Sequence, residues 1–172
     1  MQPPLLPEET LARVYRLARI DGTGVLLLAG AFALAAALVG DRTGAVIGLL
    51  VAGAGAIELH GTQLLRQGEI QAMRWLIFSQ LFLMLVVLAY CAIRLVNFSP
   101  EFIDHALTPE LRTAFVQAGY APEELNDLVR RIYYLTYGLV AAGTVFYQGA
   151  MIRFYLRRWT PVAQAIATAE EE

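Results

Sequence analysis

Hydrophobic positions along this chain collect into four blocks separated by short polar stretches. The two central blocks cover 44–65 and 75–96, and the polar turn 66–71 lies between them. Each block holds about 20 residues, enough for a helix rising ~1.5 Å per residue to cross a hydrocarbon layer of ~30 Å. The pattern therefore predicts a tight transmembrane hairpin. An earlier block, 25–39, and a later one, 132–156, predict two more spans. With their flanks the four spans are placed at about 22–40, 44–65, 73–96 and 132–156.

Before the first span the periodicity changes. Pro7 suits the first position of a helix, with Glu8 and Glu9 at its positive end. Leu11, Val14, Tyr15 and Ala18 fall on one face, and Arg13, Arg16 and Arg19 form a basic stripe beside it. This predicts an amphipathic helix lying at a membrane surface. Asp21-Gly22-Thr23-Gly24 interrupts the pattern, and Asp21 is expected to cap the next helix. Ala35-Ala36-Ala37 after a short apolar run has the form of a signal-cleavage site, but the acidic lead argues against that reading.

The short turn Asp41-Arg42-Thr43 makes the first two spans antiparallel neighbours. The second span carries Gly44, Gly48, Ala52 and Ala56 at a spacing of four, with Gly53 and Gly55 added. Small residues at that spacing let helix backbones approach closely in lipid. The pattern leaves open whether the partner is the first span or another copy of the chain. Gly68 fits a helix stop, Trp75 an interfacial anchor, and Arg94 a side chain that reaches the headgroups.

The segment 97–131 is predicted to lie outside the membrane. Ser99-Pro100-Glu101, Thr108-Pro109-Glu110 and Ala121-Pro122-Glu123 are helix-start signatures, and Gly119 is a stop. They predict short helices over 100–106 and 109–118, and a third that starts near Pro122 and continues into the fourth span. Arg157-Arg158-Trp159 should end that span, Thr160-Pro161 should terminate or bend it, and the acidic tail should be mobile. The fold expected is an all-α membrane protein. It is a four-transmembrane-helix bundle with an N-terminal amphipathic helix and short helices between spans 3 and 4, in one integral membrane domain over 1–172.

Composition agrees with this placement. Hydrophobic residues make up 58% of the chain and charged residues 16%, against about 25% charge in a soluble domain. A net charge of −2 gives nucleic-acid binding no electrostatic support. The single cysteine, Cys91, excludes an intrachain disulfide and a cysteine metal cluster. All 13 basic residues are arginine, the bias of a GC-rich genome, which points to a bacterial inner membrane. Eight arginines fall with the two termini and the second turn, and five on the other side. The positive-inside rule then places both termini in the cytoplasm.

Candidate chemistry rests on a few polar residues inside the spans. An intramembrane carboxylate is a functional-site hypothesis by default, and Glu58 is the foremost candidate. Gln80, Thr144 and Gln148 join it as a candidate ion or ligand site, with His60, Arg74 and Tyr137 as secondary polar residues. Tyr134, Tyr137, Ala141, Thr144, Gln148 and Tyr155 share one stripe of span 4. Glu58 is expected to hydrogen-bond Gln80 or Gln148, or to pair with Arg74. Hydrogen bonds that only fix the register of the bundle would account for the same residues. Glu58 and His60 stand about 200° apart on a helix and cannot share a metal, so no metal site is expected, and no cofactor. Phosphate-binding glycine loops, nucleophile elbows, HExxH and CxxC are absent from the sequence.

Three readings follow, in order of preference. The first is a non-catalytic interaction or accessory subunit whose partners are the lipid bilayer and itself or another membrane protein. The second is an oligomeric channel or transporter for a proton or small ion, using Glu58. The third is a membrane enzyme acting on lipid or quinone.

Overall fold

The computed structural model of the chain describes residues 6–98 and 107–171. Among these it contains five helices: α1 (Pro7–Leu38), α2 (Arg42–Arg66), α3 (Ala72–Val96), α4 (Pro109–Gln117) and α5 (Pro122–Glu171). All but α4 are long and apolar enough to cross a membrane. The helix expected over 100–106 lies outside the described residues. The chain divides into two compact units, Met1–Val87 with Thr144–Glu172, and Leu88–Gly143.

In the first unit, α1 and α2 form an antiparallel hairpin. Asp41 begins α2 by accepting the Gly44 N–H at 2.9 Å, and Gly40 turns the chain at φ 81°, a conformation that costs glycine little. Gly44, Gly48 and Gly55 of α2 face α1, whereas Gly53 and Ala56 do not. A methyl group added at Gly48 would lie 2.8 Å from Ala33 Cβ. One added at Gly55 would lie 2.6 Å from the Leu26 backbone nitrogen and 2.8 Å from the Gly22 carbonyl oxygen. The partner of the small-residue face of span 2 is thus α1 of the same chain. The facing positions Ala33, Ala36 and Gly22 are small and buried as well.

Two expected boundaries do not form. No break occurs at Asp21-Gly22-Thr23-Gly24, since α1 is one helix from Pro7 to Leu38. Its N-terminal half is therefore not a separate surface helix. Thr10, Val14, Ala18 and Gly22 are buried at a spacing of four, which packs this half against the rest of the unit. Nor does the chain stop at Pro161, because α5 runs through it to Glu171. Proline removes one backbone donor from the helix, but packing on both sides of it holds the helix together. Tyr155, Val162, Ala165 and Ile166 are buried.

These segments share a core. Val14 and Ala18 of α1, Leu65 of α2, Ala72, Met73 and Leu76 of α3, and Met151, Tyr155, Val162 and Ile166 of α5 form one buried apolar cluster. Gly61 lets α3 approach α2, since a methyl group there would lie 2.9 Å from Leu76 Cδ2.

In the second unit, Thr108 caps α4, with its hydroxyl accepting the Leu111 N–H at 3.4 Å. Gly119, at φ 93°, ends the helix as its position in the sequence suggests. Tyr133 donates its hydroxyl to the Arg94 carbonyl at 2.9 Å, and its ring packs on Tyr137 at 4.7 Å. Arg94 donates Nε to the Tyr90 hydroxyl at 3.1 Å.

Gly55→Ala should force α1 and α2 apart and cost about 1–3 kcal/mol, the usual effect of overpacking. Gly53→Ala meets nothing within 4 Å and should stabilise α2 by about 0.5–1 kcal/mol. Denaturant unfolding in detergent micelles measures both, and equal effects would contradict the hairpin packing. Hydrogen exchange supplies a second check. Amides around Val162 to Ile166 should exchange as slowly as those of the core, whereas a mobile tail would exchange within seconds.

Candidate functional site

Polar side chains from four helices of the first unit converge on two carboxyl groups. On α1, Asp21 follows Val14 by seven residues, two turns along the inward face. Its carboxylate accepts two hydrogen bonds, from Gln80 Nε2 of α3 at 3.0 Å and from the Tyr147 hydroxyl of α5 at 2.8 Å. On α2, Glu58 is 1% exposed, and its Oε1 accepts the Tyr155 hydroxyl of α5 at 2.7 Å. Gly22 gives Glu58 its place: a methyl group there would lie 3.2 Å from Glu58 Cβ. The Asp21 and Glu58 carboxyl groups are neighbours, and the Gln80 amide stands beside both.

Two features set this cluster apart from register-fixing hydrogen bonds. Among the described residues no basic side chain bonds or pairs with either carboxyl. Two adjoining carboxyls repel when both are charged, so the arrangement calls for a proton or a cation. Moreover, Gln80 is 0% exposed, yet its Oε1 has no hydrogen-bond partner. A buried acceptor left unmatched costs about 1–3 kcal/mol. A proton or an oxygen-seeking monovalent cation held among two carboxyls, two phenols and this amide oxygen would answer both features.

The cluster is also connected to the exterior. Glu58 and Tyr155 are fully buried, Asp21 is half-buried, and Tyr147 is 47% exposed. The sequence from Tyr147 through Asp21 to Glu58 and Tyr155 thus leads from the exposed flank of α5 to the interior.

The residues singled out from the sequence divide clearly. Glu58 and Gln80 belong to the cluster. Gln148 is buried, follows Tyr147 directly and shares the face of Tyr155 two turns away, and its Oε1 also has no partner. Thr144 is half-buried one turn before Gln148. Arg74 is exposed and forms no ion pair with Glu58, because Glu58 faces the helix interior and Tyr155 occupies its oxygen. The bond expected between Glu58 and a glutamine is accordingly made first to Tyr155, while the Gln80 nitrogen goes to Asp21. His60 is exposed on the other side of α2, edge-on to Trp75 at 5.3 Å. Tyr137 lies in the second unit, packed on Tyr90 and Tyr133. Among the described residues no three His, Cys, Asp or Glu side chains come together as metal ligands.

Sequence reasoning missed Asp21 and Tyr147. Asp21 sits in an Asp-Gly-Thr-Gly string that reads as a helix break. Its two-turn spacing from Val14 was the available signal. Comparison with protein-family models, with curated proteins and with solved structures finds no match.

Tyr155→Phe keeps the ring in the core and removes the donor to Glu58. It should destabilise the protein by about 1–3 kcal/mol. Combined with Glu58→Gln in a double-mutant cycle, it should give a coupling of about 1 kcal/mol, read from unfolding in micelles. Strict additivity would mean that the two groups do not interact.

Proposed function

We propose that this chain is a multi-pass membrane protein that binds and releases a proton or a small monovalent cation at the Asp21–Glu58 pair. One observation carries the reading: two adjoining carboxyls on different helices are held by Gln80, Tyr147 and Tyr155, with no basic partner among the described residues. Structural hydrogen bonds alone do not require a second carboxyl there. The four long apolar helices support a bilayer placement. The arginine distribution supports the cytoplasmic membrane with both termini inside. Four helices enclose little space, so transport would use the exposed flank at Tyr147 or several copies of the chain.

A second reading is a non-catalytic accessory subunit that packs against itself or another membrane protein. It loses the small-residue face of α2, which α1 takes up. It keeps Gly138, Gly143 and Gly149 of α5, where an added methyl group would meet nothing within 4 Å. A lipid or quinone enzyme has less support, because Glu58 and His60 point to opposite sides of α2 and offer no paired acid and base.

The test is ion flux in proteoliposomes under a proton or sodium gradient, followed by pH-sensitive and sodium-sensitive dyes. The wild-type chain should dissipate one of the gradients, and Glu58→Gln and Asp21→Asn should each slow this by tenfold or more. Unchanged flux in both variants would remove the pair from the mechanism. The absence of flux in the wild type would favour the accessory-subunit reading.

A further inference from the structure

Tyr15 and Arg19 lie one turn apart on α1 and line two grooves that meet at these residues. One groove, of about 250 Å³, is completed by Leu59, Thr62, Gln63 and Arg66 of α2. It brings together two arginines, a tyrosine and a carboxamide. The other, of about 700 Å³, is an open apolar face lined by α1 alone that continues past Ile20, Thr23 and Gly24 to Leu27. Its far end lies where the apolar run of α1 begins. No carboxylate lines either groove. Neither the Arg19 nor the Arg66 side chain makes a hydrogen bond or an ion pair among the described residues. Glu8 approaches Arg66 in a third groove beside Tyr15 without pairing with it.

The join therefore has a cationic end and an apolar end, side by side on the same helix. Isolated arginines in water need no partner, but two that converge at the mouth of an apolar groove match one kind of molecule. From the charge complementarity we propose that this composite groove binds an anionic phospholipid. Its phosphate is held by Arg19 and Arg66, with Tyr15 and Gln63 beside it, and an acyl chain lies along α1 from Ile20 to Leu27. Guanidinium groups suit phosphate because they present paired donors. The wider surface adds to the attraction. Arg16 also lines the longer groove, and Arg13 lies three residues before it on α1.

The proposal does not rest on the proton or cation site, since Asp21 and Glu58 line neither groove. The full-length protein in mild detergent, given equal amounts of phosphatidylglycerol and phosphatidylcholine, is read by native mass spectrometry for the lipid it retains. The wild type should retain phosphatidylglycerol selectively. The Arg19→Gln/Arg66→Gln double variant should lose that preference by about tenfold or more, because each arginine near an anionic lipid adds a several-fold attraction. Arg19→Lys/Arg66→Lys should keep much of it, which separates lost charge from lost fold. Arg42→Gln, at the other end of α2, and Glu58→Gln should leave it intact. Equal retention of both lipids by the wild type would overturn the proposal, as would an undiminished preference in the double glutamine variant. Abolition of the preference by millimolar inorganic phosphate would also overturn it and assign the arginines to a soluble anion.

Discussion

The close approach of α1 to α2 is the constraint on which the rest of the first unit depends. At Gly22 and Gly55 the two helices meet backbone to backbone, and an added methyl group at Gly55 would lie within 2.8 Å of backbone atoms of α1. Packing and polar contacts hold the two helices together. Small residues on both faces provide the packing. They also set the spacing at which Asp21 of α1 and Glu58 of α2 become neighbours. With a larger residue at Gly22, the side chain of Glu58 would lose its place.

Once the carboxyls are adjacent, the other helices are committed by what they contribute. Tyr155 is fully buried at the centre of the apolar cluster and bonds Glu58 with its hydroxyl. Its ring and its oxygen therefore tie the core to the site. Gln80 has an equally buried side chain and serves Asp21 through its nitrogen. The site is thus held both by apolar packing and by hydrogen bonds between helices.

The ends of α1 and α5 add a second layer of order. Val14 and Ala18 pack with Val162 and Ile166, so the segments flanking the apolar runs do not trail away but build a helical extension of the same core. Arginines decorate that extension, and Arg158 stacks on Phe154 at 3.8 Å.

The sequence by itself determined the helical class, four long apolar segments, the helix stops at Gly68 and Gly119, and the cap at Thr108; it set the first turn at 41–43, where the structure turns at Gly40 and starts α2 at Arg42. Those features follow from local chemistry: a run of apolar residues sets length, and glycine or an oxygen-bearing side chain sets an end. It also marked Glu58 and Gln80, because polar residues in an apolar run stand out. Only the tertiary structure decided that Asp21-Gly22-Thr23-Gly24 stays helical and that α5 passes through Pro161, since in both places burial against other helices outweighs a local tendency to break. It alone chose Tyr155 as the partner of Glu58 and brought in Asp21. Pairings between residues 59 and 97 or more positions apart depend on how four helices are rotated against each other, and a single-chain pattern carries the face of each helix but not the register between them.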